Sequence, residues 1–283
     1  MIKIILIIMT VFILYCMIET ARELRDFRVT KYRICSQKLN GIKKEKKIIF
    51  LSDLHNRMYG EENERLLESI RNQHPDLILI GGDMLVRKDG NSYDKTVHFL
   101  AKLPGICPVY CANGNHEQKL KELPDKYEQS YEEYKKALTA SGIHMLENAS
   151  ETVKLDEVPV KLSGLEIPLG AYARFGKKDL PLKEITDRIG EHGEEYQILF
   201  AHHPGYIQEY LEYGADLILS GHYHGGVMQL PGIGGVISPD FTLFPKYSGG
   251  IYREGTQTVV VSRGLGTHSV PVRLWNWPEL IVL

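Results

Sequence analysis

Cysteine is scarce in this chain: Cys16, Cys35, Cys107 and Cys111 are the only four in 283 residues. Cys107 and Cys111 are four apart in an apolar stretch, ~13 Å when extended, too far for a mutual disulfide. Free thiols fit a reducing compartment. Charge of one sign is also missing, since 34 Lys and Arg face 36 Asp and Glu for a net −2. A near-neutral chain has no global attraction for nucleic acid, and no basic cluster is interleaved with aromatics. There is no repeat at solenoid spacing and no low-complexity tract. Neither a Ser nucleophile elbow nor a His-Glu-x-x-His helix is present, which removes two common hydrolytic chemistries. The length suits a single large β-rich domain.

One long apolar run exists. Ile4 to Ile18 is interrupted only by Thr10, close to the lower limit of about 17–25 residues for a membrane span. The exit Leu14-Tyr15-Cys16-Met17-Ile18-Glu19 lacks the small residues of a signal-peptide cleavage site. Residues 1–20 are therefore expected to be an uncleaved anchor in the bilayer, making a single-pass protein of the cell membrane. Lys3 is the only basic side chain before the run, whereas Arg22, Arg25, Arg28, Lys31 and Arg33 follow it. The positive-inside rule then predicts a catalytic domain on the cytoplasmic side, and no twin-Arg signal precedes the run. Residues 21–45 read as a charged juxtamembrane connector, with a short helix over Arg22–Arg28. Lys43, Lys44, Lys46 and Lys47 suit either an anionic bilayer surface or an ordinary solvated strand entry.

Five islands carry the chemistry: Asp53-Leu54-His55, Gly82-Asp83, Gly114-Asn115-His116-Glu117, Ala201-His202-His203 and Gly221-His222-Tyr223-His224. Each lies at or just past an apolar run, Ile48–Leu51, Leu77–Ile80, Val109–Ala112, Ile198–Ala201 and Leu217–Leu219. Such runs read as buried strands. In α/β sheets, functional groups gather beyond the strands' carboxyl ends, so five strands would deliver Asp, His and Asn to one place. Asp and Asn offer oxygen and neutral His offers nitrogen; without thiolate, this donor set suits Mn, Fe or Zn, and Mg less well. Asp53, His55, Asp83, Asn115, His202, His222 and His224 make seven candidate ligands. One tetrahedral ion needs three or four, so seven fit two ions that share a carboxylate. Residues i and i+2 of extended backbone point to one side, the expectation for Asp53-x-His55 and His222-x-His224. Two cations roughly 3.5–4 Å apart would activate a water and clamp a phosphoryl group. His116, next to Asn115, is expected to serve as general acid or to stabilise a phosphate oxygen. Glu117 is expected to orient this region through hydrogen bonds.

The order Asp-x-His, Gly-Asp, Gly-Asn-His-Glu, His, Gly-His-x-His resembles the calcineurin-like metallophosphoesterase superfamily, over roughly Lys46 to the C-terminus. The resemblance implies an α/β, four-layer fold: a two-sheet β-sandwich flanked by helices, here residues 46–283. It implies one metal on Asp53, His55, Asp83 and His224, and another on Asp83, Asn115, His202 and His222, with Asp83 bridging. His203 is the alternative to His202. Many relatives carry a further Asp three residues after the first of the Gly-Asp island; Val86 stands there in this chain. The tail segments Gly225-Gly226, Leu243–Tyr247, Ser262–Gly266 and Pro271–Arg273 resemble a membrane-associated bacterial subgroup that includes phosphodiesterases and UDP-diacylglucosamine pyrophosphohydrolases. That likeness implies hydrolysis of phosphodiester or pyrophosphate bonds, with Mn the first choice of metal and a phosphate-ester substrate, lipid-linked or drawn from the cell envelope. Lys246, Arg263 and Arg273 are candidate phosphate contacts, or structural residues; His268 reads as a loop residue. A non-catalytic scaffold of the same fold is the competing reading, and an amidohydrolase barrel, which wants an early His-x-His, is a third.

Helices are expected over Glu61–Asn72, Tyr93–Leu103 and Asp125–Ser141. In the last, Tyr127, Tyr131, Tyr134 and Leu138 recur at helical spacing, as core contacts do. Residues 143–167 and 256–283 read as shorter strands of a second sheet.

Overall fold

A computed structural model describes residues 1–87, 92–173, 178–267 and 271–283. In chain order, the first half runs α1 (Ile2–Glu23), β1 (Arg28–Lys31), β2 (Ile48–Leu51), α2 (Glu64–Gln73), β3 (Leu77–Ile80), α3 (Asp94–Leu100), β4 (Val109–Cys111), α4 (Asn115–Glu122), α5 (Tyr131–Ala140) and β5 (Ile143–Met145). The second half runs β6 (Ala149–Leu155), β7 (Val158–Leu165), α6 (Leu182–Ile189), β8 (Tyr196–Ala201), α7 (Ile207–Tyr213), β9 (Leu217–Ser220), β10 (Gln229–Leu230), β11 (Gly234–Gly235), β12 (Gly250–Glu254), β13 (Gln257–Val261) and β14 (Glu279–Val282).

Two six-stranded sheets result, ordered β1-β14-β2-β3-β4-β5 and β12-β13-β9-β8-β7-β6. Alternation along each strand divides its side chains between two cores. Phe50, Leu79 and Tyr110 of the first sheet meet Ile198, Phe200, Leu219 and Val260 of the second between the layers. Ile49, Leu51, Ile78 and Ile80 face outward into a core with Leu66, Ile70, Phe99 and Leu138 of the flanking helices. Leu199, Ala201, Ile218 and Val259 do the same against Ile185, Ile207 and Tyr210 of α6 and α7. The layers are thus helix, sheet, sheet, helix. Fully burying a side chain such as Phe50 stabilises the fold by about 1.5–3 kcal/mol.

Within each sheet the central strands run parallel: β2, β3 and β4 in the first, β7, β8 and β9 in the second. Their carboxyl ends therefore open on the same edge of the sandwich, and the loops leaving them converge there.

Several expectations change in detail. Within residues 21–45, read as a charged connector, Arg28–Lys31 pairs in parallel with Glu279–Val282 and covers the edge of the first sheet. No separate helix spans Arg22–Arg28, since α1 continues to Glu23. The third expected helix starts only at Tyr131, where the Ser130 hydroxyl accepts the Glu133 N–H at 3.2 Å and caps it. Pro124–Lys126 is a separate single turn, which leaves Tyr127 outside the helix. The tail strands divide, β13 entering the second sheet and β14 the first.

Candidate functional site

The loops beyond the strands carry their polar residues on unusual backbone. Asp53, His55, Asp83, His222 and His224 have φ of 54°, 50°, 53°, 63° and 49°. This left-handed region is sparsely occupied by non-glycine residues, Asp, Asn and His being the least disfavoured. The extended i, i+2 geometry expected for Asp53-x-His55 and His222-x-His224 is therefore not what brings each pair together. Two tight turns do so, held by inter-loop hydrogen bonds: Asp53 N–H to Gly82 O at 3.0 Å and His55 N–H to Asp83 O at 3.1 Å. Gly114 has to be glycine, because a Cβ there would lie 2.2 Å from Asp83 Oδ1.

Asp53 and Asp83 are almost completely buried. Backbone N–H groups orient both: His222 N–H donates to Asp53 at 3.1 Å, and His116 N–H donates to Asp83 Oδ1 at 2.8 Å. Imidazoles surround the remaining carboxylate edges. His202 Nε2 lies 3.2 Å from Asp83 Oδ2, and His224 Nε2 lies 3.4 Å from Asp53 Oδ1. His55 Nε2 sits between the two carboxylates, 3.7 Å from Asp53 and 3.8 Å from Asp83.

The outer hydrogen bonds of the rings identify the inner atoms. His202 Nδ1 lies 2.8 Å from Gly81 O, and His224 Nδ1 lies 3.2 Å from Gly266 O. A carbonyl only accepts, so each Nδ1 carries a proton, and in the neutral ring that ligates an ion each Nε2 turns a lone pair inward. The inner space is thus lined by potential ligand atoms turned toward one another, with His55 Nε2 and His224 Nε2 at 3.1 Å. Asn115 Oδ1 and His202 Nε2 are buried without a hydrogen-bond partner. Such a set is stable only around positive charge, and its oxygen and nitrogen atoms fit divalent cations.

Electrostatics agree. Burial pushes the Asp53 carboxyl up, but His224, His202 and His55 outweigh it and hold it far below the usual range. Asp83 is likewise held down against burial by His202 and His116. His202 is pushed up to about 10, Asp83 and Asp53 overcoming its desolvation; the field that retains a proton there also attracts a metal ion. Burial drives His224 down to about 3 and lowers His222 too, which keeps both rings neutral and able to ligate.

Side-chain atoms close enough to share an ion fall into groups, Asp53, His55 and His224 in one, and Asp83, His202 and His222 in another, each within 4.8 Å. A third joins His116 to His55 and Asp83. Asn115 opens α4 and lines the same cavity. His203 belongs to none of these groups and packs beside Tyr172 and Tyr223 at 5.0 and 5.6 Å. His116 Nδ1 accepts the Arg87 N–H at 3.2 Å, so its proton resides on Nε2. Glu117 accepts N–H groups from Asp83 and Met84 at 2.8 Å and from Gly114 at 3.0 Å. It ties the Gly-Asp loop to the start of α4, the orienting part expected of it.

A cavity of about 480 Å³ opens over this cluster. Of the three cationic candidates, only Arg273 borders it. Arg273 is buried and spends its donors on the carbonyls of Arg263, Gly266 and Asn276 at 2.7–3.1 Å. That corrects its role: it braces the loop carrying the His224 partner Gly266. Arg263 pairs with Glu279 at 3.3 Å and Lys246 with Glu254 at 2.8 Å on the surface, so neither reaches the cluster. The expectation for His268 lies outside the described residues. Among the described residues, the other cations that line the cavity are Arg87 and Lys119. Desolvation and then the Arg87 charge lower the Lys119 pKa. Their signal in the sequence is position: Arg87 follows Asp83 by four residues, and Lys119 follows Asn115 by one helical turn. The lining also includes apolar Val227, Ile237, Phe241 and Val272, with Ser238 and Asp240 beside them.

Comparison with known proteins supplies an independent finding. Residues 46–226 match the family model described as calcineurin-like phosphoesterase. The metallophosphoesterase YkuE of Bacillus subtilis is 30% identical over 241 residues, covering 83% of this chain and 77% of that protein. The phosphodiesterase YaeI of Escherichia coli is 25% identical, covering 84% and 81%. The UDP-2,3-diacylglucosamine pyrophosphatase LpxG of Chlamydia muridarum is 23% identical, covering 84% and 82%.

Proposed function

This chain belongs to the calcineurin-like phosphoesterase family, and from that premise we propose a membrane-anchored hydrolase of phosphodiester or pyrophosphate bonds whose site holds two divalent cations. Membership makes it a metal-dependent phosphoric ester hydrolase of a binuclear family. Asp53, His55, Asp83 and His224 would hold one ion; Asp83, Asn115, His202 and His222 would hold the other. When bound, the pair supplies Lewis-acid polarisation of the phosphoryl group and lowers the pKa of a water that attacks phosphorus. Mn is the first choice of ion, with Fe, Zn or Mg as alternatives.

The chain's own residues do the rest. His116 offers its Nε2 proton to the departing oxygen, while Nδ1 is held by the Arg87 N–H. Arg87 and Lys119 present positive charge to the non-bridging phosphate oxygens. The observation that carries the reading is the set of buried carboxylate, amide and imidazole atoms turned toward one another, with Asn115 Oδ1 and His202 Nε2 left without a hydrogen-bond partner. Residues 1–20 anchor the chain: α1 is 22 residues long, an 18-residue stretch of it has a mean hydropathy of 2.4, and it is exposed along nearly its whole apolar length. The basic residues after it favour a cytoplasmic catalytic domain. A relative named for a diacylglucosamine pyrophosphate and the apolar residues of the cavity lining extend the reading to lipid-linked substrates.

The test is a purified full-length chain assayed with Mn on bis(p-nitrophenyl) phosphate and on lipid pyrophosphates, with metal content measured in parallel. Asp83→Asn is expected to lose metal and turnover together. His116→Ala is expected to keep its metal and to slow most on substrates with poor leaving groups. Full activity in Asp83→Asn with one ion lost contradicts the assignment. A reporter fused after Leu283 checks sidedness, and reporter activity outside the cytoplasm reverses it.

A further inference from the structure

The anchor helix does not leave the catalytic domain at its end. Glu19 and Glu23 are both buried against the domain, and one turn earlier Tyr15 meets Trp275, whose indole N–H donates to the Tyr15 hydroxyl at 3.2 Å. Tyr15 lies inside the apolar run. The apolar run from Ile4 to Ile18 lies between Lys3 and Glu19 and, at about 1.5 Å per residue, is roughly 22 Å long. The hydrocarbon layer is roughly 30 Å thick. An apolar run shorter than the layer it spans lies inside it along its whole length, Tyr15 included, and Trp275 goes with it.

The surface around Trp275 suits that position. Val272 is 40% exposed and Phe241 52%, yet both also line the catalytic cavity, so they stand at its mouth. Leu243 and Phe244 follow Phe241 and are 64% and 54% exposed. Phe241, Phe244 and Trp275 all adopt left-handed backbone, φ 64°, 49° and 52°, a costly conformation for bulky side chains. A soluble surface has no use for exposed aromatics held out in this way. Trp277, on the other side of Asn276, lies under Arg22 and Arg28 at 5.0 and 4.2 Å, an aromatic and basic pairing that suits the headgroup zone.

We propose that the loop rim formed by Phe241, Leu243, Phe244, Val272 and Trp275 is seated in the bilayer interface, so that the catalytic cavity opens on the membrane surface. The occupant of this rim is the lipid bilayer on the side of the catalytic domain. The substrate class that follows is a phosphate ester whose apolar part stays in the membrane while its anionic part reaches the cationic wall. This rests on the reading of residues 1–20 as an anchor.

The chain has two tryptophans, Trp275 and Trp277, so Trp277→Phe leaves Trp275 as the only tryptophan reporter. The full-length variant is reconstituted in vesicles of phosphatidylethanolamine and phosphatidylglycerol, plain or brominated near the glycerol end of the acyl chain. Most of the emission is expected to be lost in brominated vesicles. Unchanged emission from a chain that floats with the vesicles overturns the rim and leaves the anchor intact. A chain that fails to float overturns the anchor, and the rim with it. Leu243→Ser with Phe244→Ser provides a second arm that keeps α1 and the cluster. Its kcat/KM on a vesicle-borne phosphodiester is expected to fall at least tenfold more than on bis(p-nitrophenyl) phosphate in water. An equal change on both substrates overturns the proposal while hydrolysis itself stands.

Discussion

Glu23, in the last turn of α1, accepts the backbone N–H of Asn276 at 2.9 Å. Asn276 in turn donates its side-chain amide to the carbonyl of His224 at 2.7 Å. Two hydrogen bonds thus connect the end of α1 to the backbone of His224, whose ring belongs to the cluster. Asn276→Ala removes the second bond and leaves a buried carbonyl unpaired, a loss of about 1–3 kcal/mol. The expected outcome is a lower thermal midpoint and fewer than two Mn per chain. Metal analysis and thermal unfolding of the full chain check this; normal metal content would show that His224 keeps its position without Asn276.

Glu117 holds two loops with one carboxylate. Its oxygens accept N–H groups from Asp83, Met84 and Gly114 within 3.0 Å, with Leu85 at 3.3 Å. Burial and the Asp83 charge push the Glu117 carboxyl up to about 7, but N–H donors on both oxygens favour its charged form, and Glu117→Gln turns an N–H₂ group toward those donors. Hydrogen bonds to charged groups contribute about 1.5–3 kcal/mol each, so the variant should lose roughly 3 kcal/mol overall. A urea midpoint unchanged from the parent chain would mean the loops are held by other contacts.

Much of this was legible from residue order. Ile48–Leu51 and Leu77–Ile80 read as strands because unbroken aliphatic runs of that length belong to sheets covered on both faces, and the donors then had to sit beyond them. Their backbone was not legible, because Asp-x-His looks the same whether the turn is extended or left-handed. Arg28–Lys31 gave no strand signal of its own, as it pairs only with residues about 250 positions away and short edge strands carry little pattern. Arg273 looks like a phosphate contact because sequence gives charge without its partners, and four backbone carbonyls already claim it. Arg87 and Lys119 reach the cavity from a loop and a helix that each carry a cluster residue, a placement that only follows once the loops are folded.

Gly114 is a steric requirement. An added Cβ would meet Asp83 Oδ1 at 2.2 Å and the Asp83 nitrogen at 2.5 Å, and the second of these is backbone that cannot rotate away. Gly114→Ala must push the Gly-Asp loop from α4, with an overpacking cost of about 1–3 kcal/mol and a displaced bridging carboxylate. Mn content and kcat should both fall at least tenfold, while circular dichroism stays close to the parent. Retention of both ions would contradict the role given to Asp83.

The last prediction concerns pH and lies away from the cluster. Lys121 and Lys135 reach Glu147 at 2.7 Å each, and Lys121 also reaches Glu166 at 2.8 Å. Burial pushes the Glu147 carboxyl up, but the hydrogen bonds from Lys121 and Lys135 outweigh it and hold it below the ordinary value. A carboxyl with a depressed folded pKa stabilises fully above its unfolded value, about 4.3, and loses that contribution as pH falls through the folded value. Glu147→Gln should therefore cost about 1 kcal/mol near neutral pH, after allowance for screening at a partly exposed network. The gap between parent and variant should shrink steadily once the pH drops below about 4. Urea unfolding of both proteins across this range reads the difference directly, and a gap that widens toward acid would show that the lysines do not hold Glu147 in its charged form.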